Sequence, residues 1–242
     1  MRADLRIMRL DKFLLEKYDL RSRTYAENLV LTGAVSVNGK TVLKPSFDVC
    51  DSDIVEISDD NYASQGAYKL EEAFLRFHLN VKDKICADIG CSNGGFTDCL
   101  LRHGAAEIIA VDVADCALSD GILNSGKVRF LRANARALPA DFVSVDFVCS
   151  DVSFISLKLV LPEIYRILKQ GREAVVLVKP QFELDRSALT KSGIVTSEKL
   201  RMRALDGIKA FAISEGFTIK NTAESPVRYQ NKNIEYLLHL IK

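Results

Sequence analysis

The amino-acid sequence predicts an α/β fold: an open parallel sheet covered on both faces by helices, preceded by a small α+β domain. Three observations carry that expectation. From residue 69 onward, short Val- and Ile-rich runs alternate with helical patterns, as in a parallel sheet built from strand–helix–strand units. A glycine-rich loop, Asp88-Ile-Gly90-Cys-Ser92-Asn-Gly94-Gly95-Phe96, follows the first of those runs and opens a helix, where open sheets form their ligand crevice. Residues 1–60 show another pattern, two short amphipathic helices and a hairpin.

Taken in order, Leu10, Phe13, Leu14 and Tyr18 follow helical spacing, and so do Ala26, Leu29 and Val30. Ser22 or Thr24 can cap the second helix, since Thr24-Tyr-Ala-Glu27 fits a capping box. Gly33 suits its C-terminal stop. Val35-Ser-Val37, Asn38-Gly39 and Lys40-Thr-Val42 read as a hairpin, because Asn-Gly tolerates the positive φ angles of a two-residue turn. A polar stretch at 61–68 is the expected linker to a second domain over 69–242. There, strands are expected at 85–89, 107–113, 128–131, 145–150, 174–178, 217–219 and 234–241. The clearest helices are at 70–77, 96–102, 158–168 and 197–214.

Composition narrows the function classes. The chain of 242 residues is 48% apolar and 27% charged, which excludes global disorder. No apolar run reaches membrane-spanning length, and the charged start Met1-Arg-Ala-Asp-Leu-Arg6 is unlike a signal peptide. A cytoplasmic protein without a membrane partner is expected. The six cysteines make no CxxC pair and the three histidines lie far apart, so reduced thiols and no metal site are expected. A net charge of +1 argues against indiscriminate nucleic-acid binding, but the charge is segregated. Residues 1–46 hold nine Lys/Arg against five Asp/Glu, and residues 47–60 hold six acids and no base.

The glycine loop points to a particular cofactor. A strict dinucleotide fingerprint would begin with glycine where Asp88 stands. A carboxylate there repels a pyrophosphate and attracts a cationic amino acid. S-adenosylmethionine carries no phosphate but has an ammonium and a sulfonium, so the loop favours it over NAD. Gly90, Gly94 and Gly95 permit close backbone approach, with Ser92 and Phe96 completing the loop. Asp112 closes the second strand 24 residues after Asp88, a suitable place to grip ribose hydroxyls. Asn134, after the third strand, is placed to reach an adenine edge, or to make a turn.

Three polar residues stand at the ends of apolar strands: Asp151, Lys179 and Glu235. Such ends border the crevice of an open sheet. Lys69, at the start of the helix 70–77, is a fourth candidate. Read singly, Lys69 also suits a solvated surface and Glu235 an edge strand.

Two resemblances bear on these residues. Arg9-Leu-Asp-Lys-Phe-Leu, Ser22-Arg23, Ala26 and Gly33-Ala-Val35-Ser-Val37-Asn38-Gly39-Lys40 resemble an RNA-binding domain first described in a small-subunit ribosomal protein and shared with pseudouridine synthases. The resemblance implies that Arg6, Arg9, Lys12, Arg21, Arg23 and Lys40 face RNA phosphates, contacts that position but do not read sequence. Ser64-Gln-Gly66-Ala-Tyr-Lys69, Asp88-Ile-Gly90, Gly94-Gly-Phe-Thr-Asp-Cys-Leu-Leu, Ala110-Val-Asp112-Val, Asn134-Ala-Arg136, Asp151-Val-Ser-Phe-Ile-Ser-Leu, Val178-Lys179-Pro-Gln-Phe-Glu and Asn233-Ile-Glu235-Tyr-Leu-Leu-His-Leu together resemble the TlyA family. These are ribosomal-RNA 2′-O-methyltransferases, some long called hemolysins, with an FtsJ-type catalytic domain. That resemblance spans essentially the whole chain. It implies a Rossmann-like class I S-adenosylmethionine-dependent methyltransferase sheet and a catalytic tetrad of Lys69, Asp151, Lys179 and Glu235. The cofactor loop is implied at 88–96, with Asp112, Asn134 and Asp151 beside it. The implied target is cytidine in rRNA or ribosomal subunits. Three departures stand out. Gln65 and Ala67 replace an Arg and a Gly before the first lysine; Cys91 and Asn93 alter the cofactor loop; Ala114-Asp-Cys116 replaces a Gly-Tyr-Gly turn.

A ribose 2′-hydroxyl attacks a methyl group in line, and needs either a base or a cation beside its developing alkoxide. Lys179 is the expected base if neighbouring positive charge holds it neutral, and otherwise the stabilising cation. A non-catalytic RNA-binding or assembly factor would not need the tetrad. A pore-forming hemolysin would need an apolar membrane-inserting face that the mixed helices lack.

Overall fold

The computed structural model describes residues 7–18, 23–31, 33–57, 62–64, 66–116, 118–225 and 233–242. The chain divides into two compact units, Met1–Gln65 and Gly66–Lys242.

The first unit runs β1 (Ile7–Arg9), α1 (Leu10–Lys17), α2 (Arg23–Leu31), β2 (Val35–Val37), β3 (Lys40–Thr41), β4 (Asp48–Cys50) and β5 (Val55–Ile57). Leu10, Phe13 and Leu14 of α1 and Ala26, Leu29 and Val30 of α2 are buried together with Val35, Val37 and Val49, as their 3.6-residue spacing requires. Tyr18 departs from that stripe: α1 ends at Lys17, and the half-exposed Tyr18 donates its hydroxyl to the Val55 carbonyl. Gly33 stops α2 with φ +78°, and Ala34 N–H bonds back to Leu29 O at 3.0 Å. Asn38 and Gly39 both take positive φ, 52° and 75°, the geometry that joins β2 and β3 by a two-residue turn. α2 already includes Thr24 in its first turn, so Thr24 is not the N-cap and the capping-box reading is corrected; Ser22 lies outside the described residues.

The second unit runs α3 (Gly66–Phe77), β6 (Ile85–Ile89), α4 (Gly95–Arg102), β7 (Glu107–Asp112), α5 (Asp120–Leu123), β8 (Val128–Arg132), β9 (Val145–Ser150), a 3-10 turn (Leu157–Leu159), α6 (Leu161–Ile167), β10 (Leu168–Val178), α7 (Pro180–Glu183), a 3-10 turn (Arg186–Ala188), α8 (Glu198–Ser214), β11 (Thr218–Glu224) and β12 (Tyr236–Ile241). Among the described residues the main sheet has the order β11-β12-β10-β9-β6-β7-β8. β6 to β10 are mutually parallel. β12 is antiparallel to both β10 and β11, so the sheet is mostly parallel with one reversed strand. Eleven residues separate β11 from β12, fewer than the dozen or more that a parallel crossover needs.

Burial explains which strands were easy to read. β7 and β9 bury almost every residue, so they appear as continuous apolar runs. Each fully buried Ile, Leu, Val or Phe there stabilises the fold by about 1.5–3 kcal/mol. β10 begins at Leu168 rather than 174, because its first half, Lys169 to Glu173, is solvated. β11 is an edge strand of alternating exposure that runs on to Glu224, and β12 begins at Tyr236 rather than 234. The helix expected at 158–168 is a 3-10 turn followed by α6, with Pro162 in the first turn of α6, where its missing N–H costs nothing. α3 starts at Gly66, so Lys69 lies within its first turn. Among the described residues no helix is long and apolar enough to cross a membrane.

Candidate active site

The carboxyl ends of the parallel strands gather the four candidate catalytic side chains. Asp151 directly follows β9 and Lys179 follows β10. Pairing of Val178 with Tyr236 sets Glu235, one residue before β12, beside the same edge. Lys69 reaches in from α3. Lys69 Nζ lies 3.1 Å from Asp151 Oδ2 and 2.7 Å from Glu235 Oε2, and Lys179 Nζ lies 2.7 Å from Asp151 Oδ1. The four charges thus form one chain, Glu235–Lys69–Asp151–Lys179, with two positive and two negative members. Lys179 is only 5% exposed, and it also donates to Ser153 Oγ at 2.7 Å. Burial pushes Lys69 down, but the two carboxylates outweigh it and raise its pKa above the usual lysine range.

Beside this chain lies a cavity of about 570 Å³, lined in part by Gly90, Ser92, Asp112, Asn134 and Asp151. These are five of the predicted cofactor residues. Gly90 takes φ +87°, and a Cβ there would press on the Val152 backbone at 3.3 Å, so the chain passes at a distance only glycine allows. Asp112 organises the rim. It accepts the Ser92 N–H at 3.0 Å and the Ala114 N–H at 3.1 Å. Asn134 Oδ1 accepts the Arg136 N–H at 3.0 Å, so the residue makes the turn as well as lining the cavity.

The other loop residues are buried off the cavity wall. A Cβ on Gly94 would meet Ile122 Cδ1 at 2.7 Å and Leu118 Cδ2 at 2.8 Å, and Gly95 and Phe96 are core residues of α4. Asp88 is fully buried; its Oδ2 accepts the Thr97 hydroxyl at 2.6 Å, while Oδ1 is buried without a hydrogen bond. Burial pushes this carboxyl up to about 7, against the lowering effect of Thr97.

Several residues that sequence reasoning missed shape the site. Glu183 accepts the Ser156 hydroxyl at 2.5 Å and the Leu157 N–H at 2.8 Å, which pins the loop after Asp151. Burial raises its pKa. Phe154 in that loop has φ +66°, is 87% exposed and lines the cavity, with Phe182 5.3 Å away. A bulky residue held at positive φ costs roughly 1–3 kcal/mol. The signal was present, since Lys179-Pro-Gln-Phe182-Glu183 and Asp151-Val-Ser153-Phe154 are words already singled out whose members turn out to touch.

In the first unit, Arg6 and Arg21 lie outside the described residues, and Lys12 and Lys40 are exposed. Arg9 and Arg23 converge on Asp11, a fully buried carboxylate, each with an Nη2–Oδ2 distance of 2.9 Å. Burial alone would raise Asp11; the two guanidiniums hold it at about 2. Both arginines remain about half exposed, so they keep an outward face. All six cysteines are free thiols. Folding nevertheless brings possible metal donors together in two places, Glu71–Cys99–His103 and Cys91–Asp112–Cys116.

Known proteins resemble this chain over nearly its whole length. Residues 62–242 match the family model described as FtsJ-like methyltransferase, and residues 8–55 match the S4 domain. The chain belongs to the FtsJ-like methyltransferase family. It is 37% identical over 239 residues to the "Hemolysin A" of Brachyspira hyodysenteriae, covering 97% of this chain and all of that one. It is 40% identical to the "Putative rRNA methyltransferase YqxC" of Bacillus subtilis, over 96% of this chain and 85% of that one. It is 35% identical to the "16S/23S rRNA (cytidine-2'-O)-methyltransferase TlyA" of Mycobacterium tuberculosis, over 96% and 89%. Among solved structures, a putative hemolysin from Streptococcus thermophilus superposes with a TM-score of 0.74 at 37% identity, covering 98% of this chain and 89% of that one. A putative S-adenosylmethionine-dependent methyltransferase from Listeria monocytogenes, 15% identical, shares the fold of the second unit at a TM-score of 0.53, over 74% of this chain and 99% of that one. This FtsJ-like methyltransferase therefore joins an S4 domain to a methyltransferase domain, and the family name hemolysin accompanies a chain built as an enzyme.

Proposed function

We propose that the protein transfers a methyl group from S-adenosylmethionine to a ribose 2′-oxygen of ribosomal RNA, at cytidine. In this reading the N-terminal unit docks the RNA through its exposed basic side chains. The observation that carries the proposal is the unbroken charge chain of Glu235, Lys69, Asp151 and Lys179 beside the 570 Å³ cavity. The names of the relatives support the substrate.

The cavity fits the cofactor on two counts. Gly90 lines it at positive φ, where a Cβ would press on Val152 of the same wall. Asp112 sits on the wall with a carboxylate suited to ribose hydroxyls. When bound, S-adenosylmethionine supplies an activated methyl group. The protein's own part is orientation and charge. Asp151 holds Lys179 on one side and Lys69 on the other, which leaves neither lysine free to swing. Lys69, kept cationic between Asp151 and Glu235, fixes both carboxylates. Lys179 Nζ, adjacent to the cavity residues Asp151 and Ser153, serves the 2′-hydroxyl as proton acceptor or as the cation beside its oxygen. The exposed ring of Phe154 offers a stacking face for the nucleobase at the mouth.

The test is methyl transfer from radiolabelled S-adenosylmethionine to ribosomal subunits, with label sought in alkali-resistant dinucleotides. Lys179→Ala is expected to abolish incorporation and leave cofactor affinity within about threefold; wild-type incorporation by that variant would overturn the assignment. Lys179→Arg, which cannot accept a proton, separates the two roles: residual activity identifies the cation, none identifies the base.

A further inference from the structure

Two of the departures from the family pattern, Cys91 in the cofactor loop and Cys116 in the turn after β7, meet in space. Their sulfur atoms and a carboxylate oxygen of Asp112 lie within 4.8 Å of one another. Cys91 is buried, Cys116 is partly exposed, and neither lines the 570 Å³ cavity. Among the described residues no lysine or arginine pairs with Asp112; Arg132 is spent on Asp115 instead, at 3.1 Å. We propose that Cys91, Asp112 and Cys116 form a binding site for a thiophilic divalent cation of the zinc or cadmium class, and that metal held there opposes cofactor binding.

The donor set selects the cation. Two thiolates and one carboxylate suit zinc or cadmium, whereas magnesium and calcium take oxygen ligands. A tetrahedral zinc with bonds of about 2.0–2.3 Å places its donors roughly 3.5–3.8 Å apart. The three groups therefore need to close by at most about 1 Å to reach that spacing. Asp112 has capacity to spare, since a carboxylate offers about four acceptor sites and two are taken by the N–H groups of Ser92 and Ala114. Three protein ligands leave a fourth position open, the arrangement of an exchangeable site. The Glu71–Cys99–His103 group is a weaker candidate. There His103 Nε2 and Glu71 already bond at 2.8 Å, with the imidazole stacked on Phe74 at 3.8 Å. The opposition to cofactor follows because Asp112 also stands on the cavity wall, and a carboxylate committed to metal is withdrawn from ribose hydroxyls. This second part rests on the S-adenosylmethionine reading of the cavity.

The experiment titrates the full chain, freed of metal by chelation, with cadmium and follows the ultraviolet thiolate-to-cadmium charge-transfer band. One equivalent is expected to bind. Cys116→Ser should lower the band by about half and weaken binding about tenfold or more. A band of undiminished intensity in Cys116→Ser, or one that disappears in Cys99→Ala instead, overturns the site. Calorimetry then measures S-adenosylmethionine affinity with and without one equivalent of zinc. Zinc should weaken it about tenfold or more in the wild type and less than about twofold in Cys116→Ser. Unchanged affinity in zinc-loaded wild type overturns the antagonism. A metal-free protein that fails to bind S-adenosylmethionine overturns the cofactor reading and with it the antagonism, while the cadmium band still decides the site.

Discussion

Asp88→Asn isolates the electrostatics of the cofactor loop. In the folded protein this fully buried carboxyl titrates at about 7, from an ordinary value of 3.8, chiefly because burial disfavours its charge. A raised pKa means that the folded state keeps a proton the unfolded chain gives up. The stability associated with that proton is present below pH 3.8 and is lost as pH rises through 7. Integrated from pH 4.5 to 8, the loss is about 3 kcal/mol. Asparagine keeps the shape and can still accept from Thr97, but does not titrate. Urea midpoints of wild type and Asp88→Asn, measured at pH 4.5 and pH 8, should therefore diverge by about 3 kcal/mol in favour of the variant at the higher pH. Taking the difference between the two proteins cancels other titrating groups. Stability curves that run parallel at the two pH values would refute the argument, because a carboxyl that titrates normally cannot separate them.

Three further outcomes follow from the contacts around the site. Glu183→Gln loses one of two hydrogen bonds that hold the loop after Asp151; turnover should fall about tenfold in the radiolabel assay while KM for RNA stays within about twofold, a split that marks a positioning residue. Phe154→Ala should raise KM for RNA about 5- to 100-fold by removing a stacking face, with cofactor affinity unchanged by calorimetry. Asp11→Asn should destabilise the N-terminal unit by about 1–3 kcal/mol and weaken RNA binding in a filter assay. The folded pKa of Asp11 lies below its ordinary value, so its contribution is present above pH 4 and is lost as pH falls through 2. Acid unfolding followed by circular dichroism should lose that component in the variant.

The parts of the site that were legible in sequence are those encoded locally. Asp151 and Lys179 end apolar runs, and Gly90 and Asp112 stand at strand ends, so simple strand counting brings them to one edge. Strand direction has no such signature, and the antiparallel β12 could not be read from periodicity. Gly94 carries a genuine turn signal, but its physical cause is a positive φ and close contact with Leu118 and Ile122 rather than the cavity wall, and Gly95 and Phe96 are packed into α4. The meeting of Cys91 with Cys116 was not legible because spacing rules detect neighbours along the chain, and these two are joined only by the folding of β7 beside β6. Asp11 looked like one acid among many charges; its burial depends on the tertiary packing of α1 against α2.

The strand order has a consequence for when the protein becomes active. β12 occupies the slot between β10 and β11 and delivers Glu235 only once its register with β10 is made. Until then Lys69 lacks its nearer carboxylate, and β11 lacks its one neighbour among the described strands. Under the proposed mechanism, a chain that has not yet placed β12 lacks Glu235 beside Lys69. A sheet of β6 to β10 alone would therefore offer the cavity to the methyl donor before it could spend it.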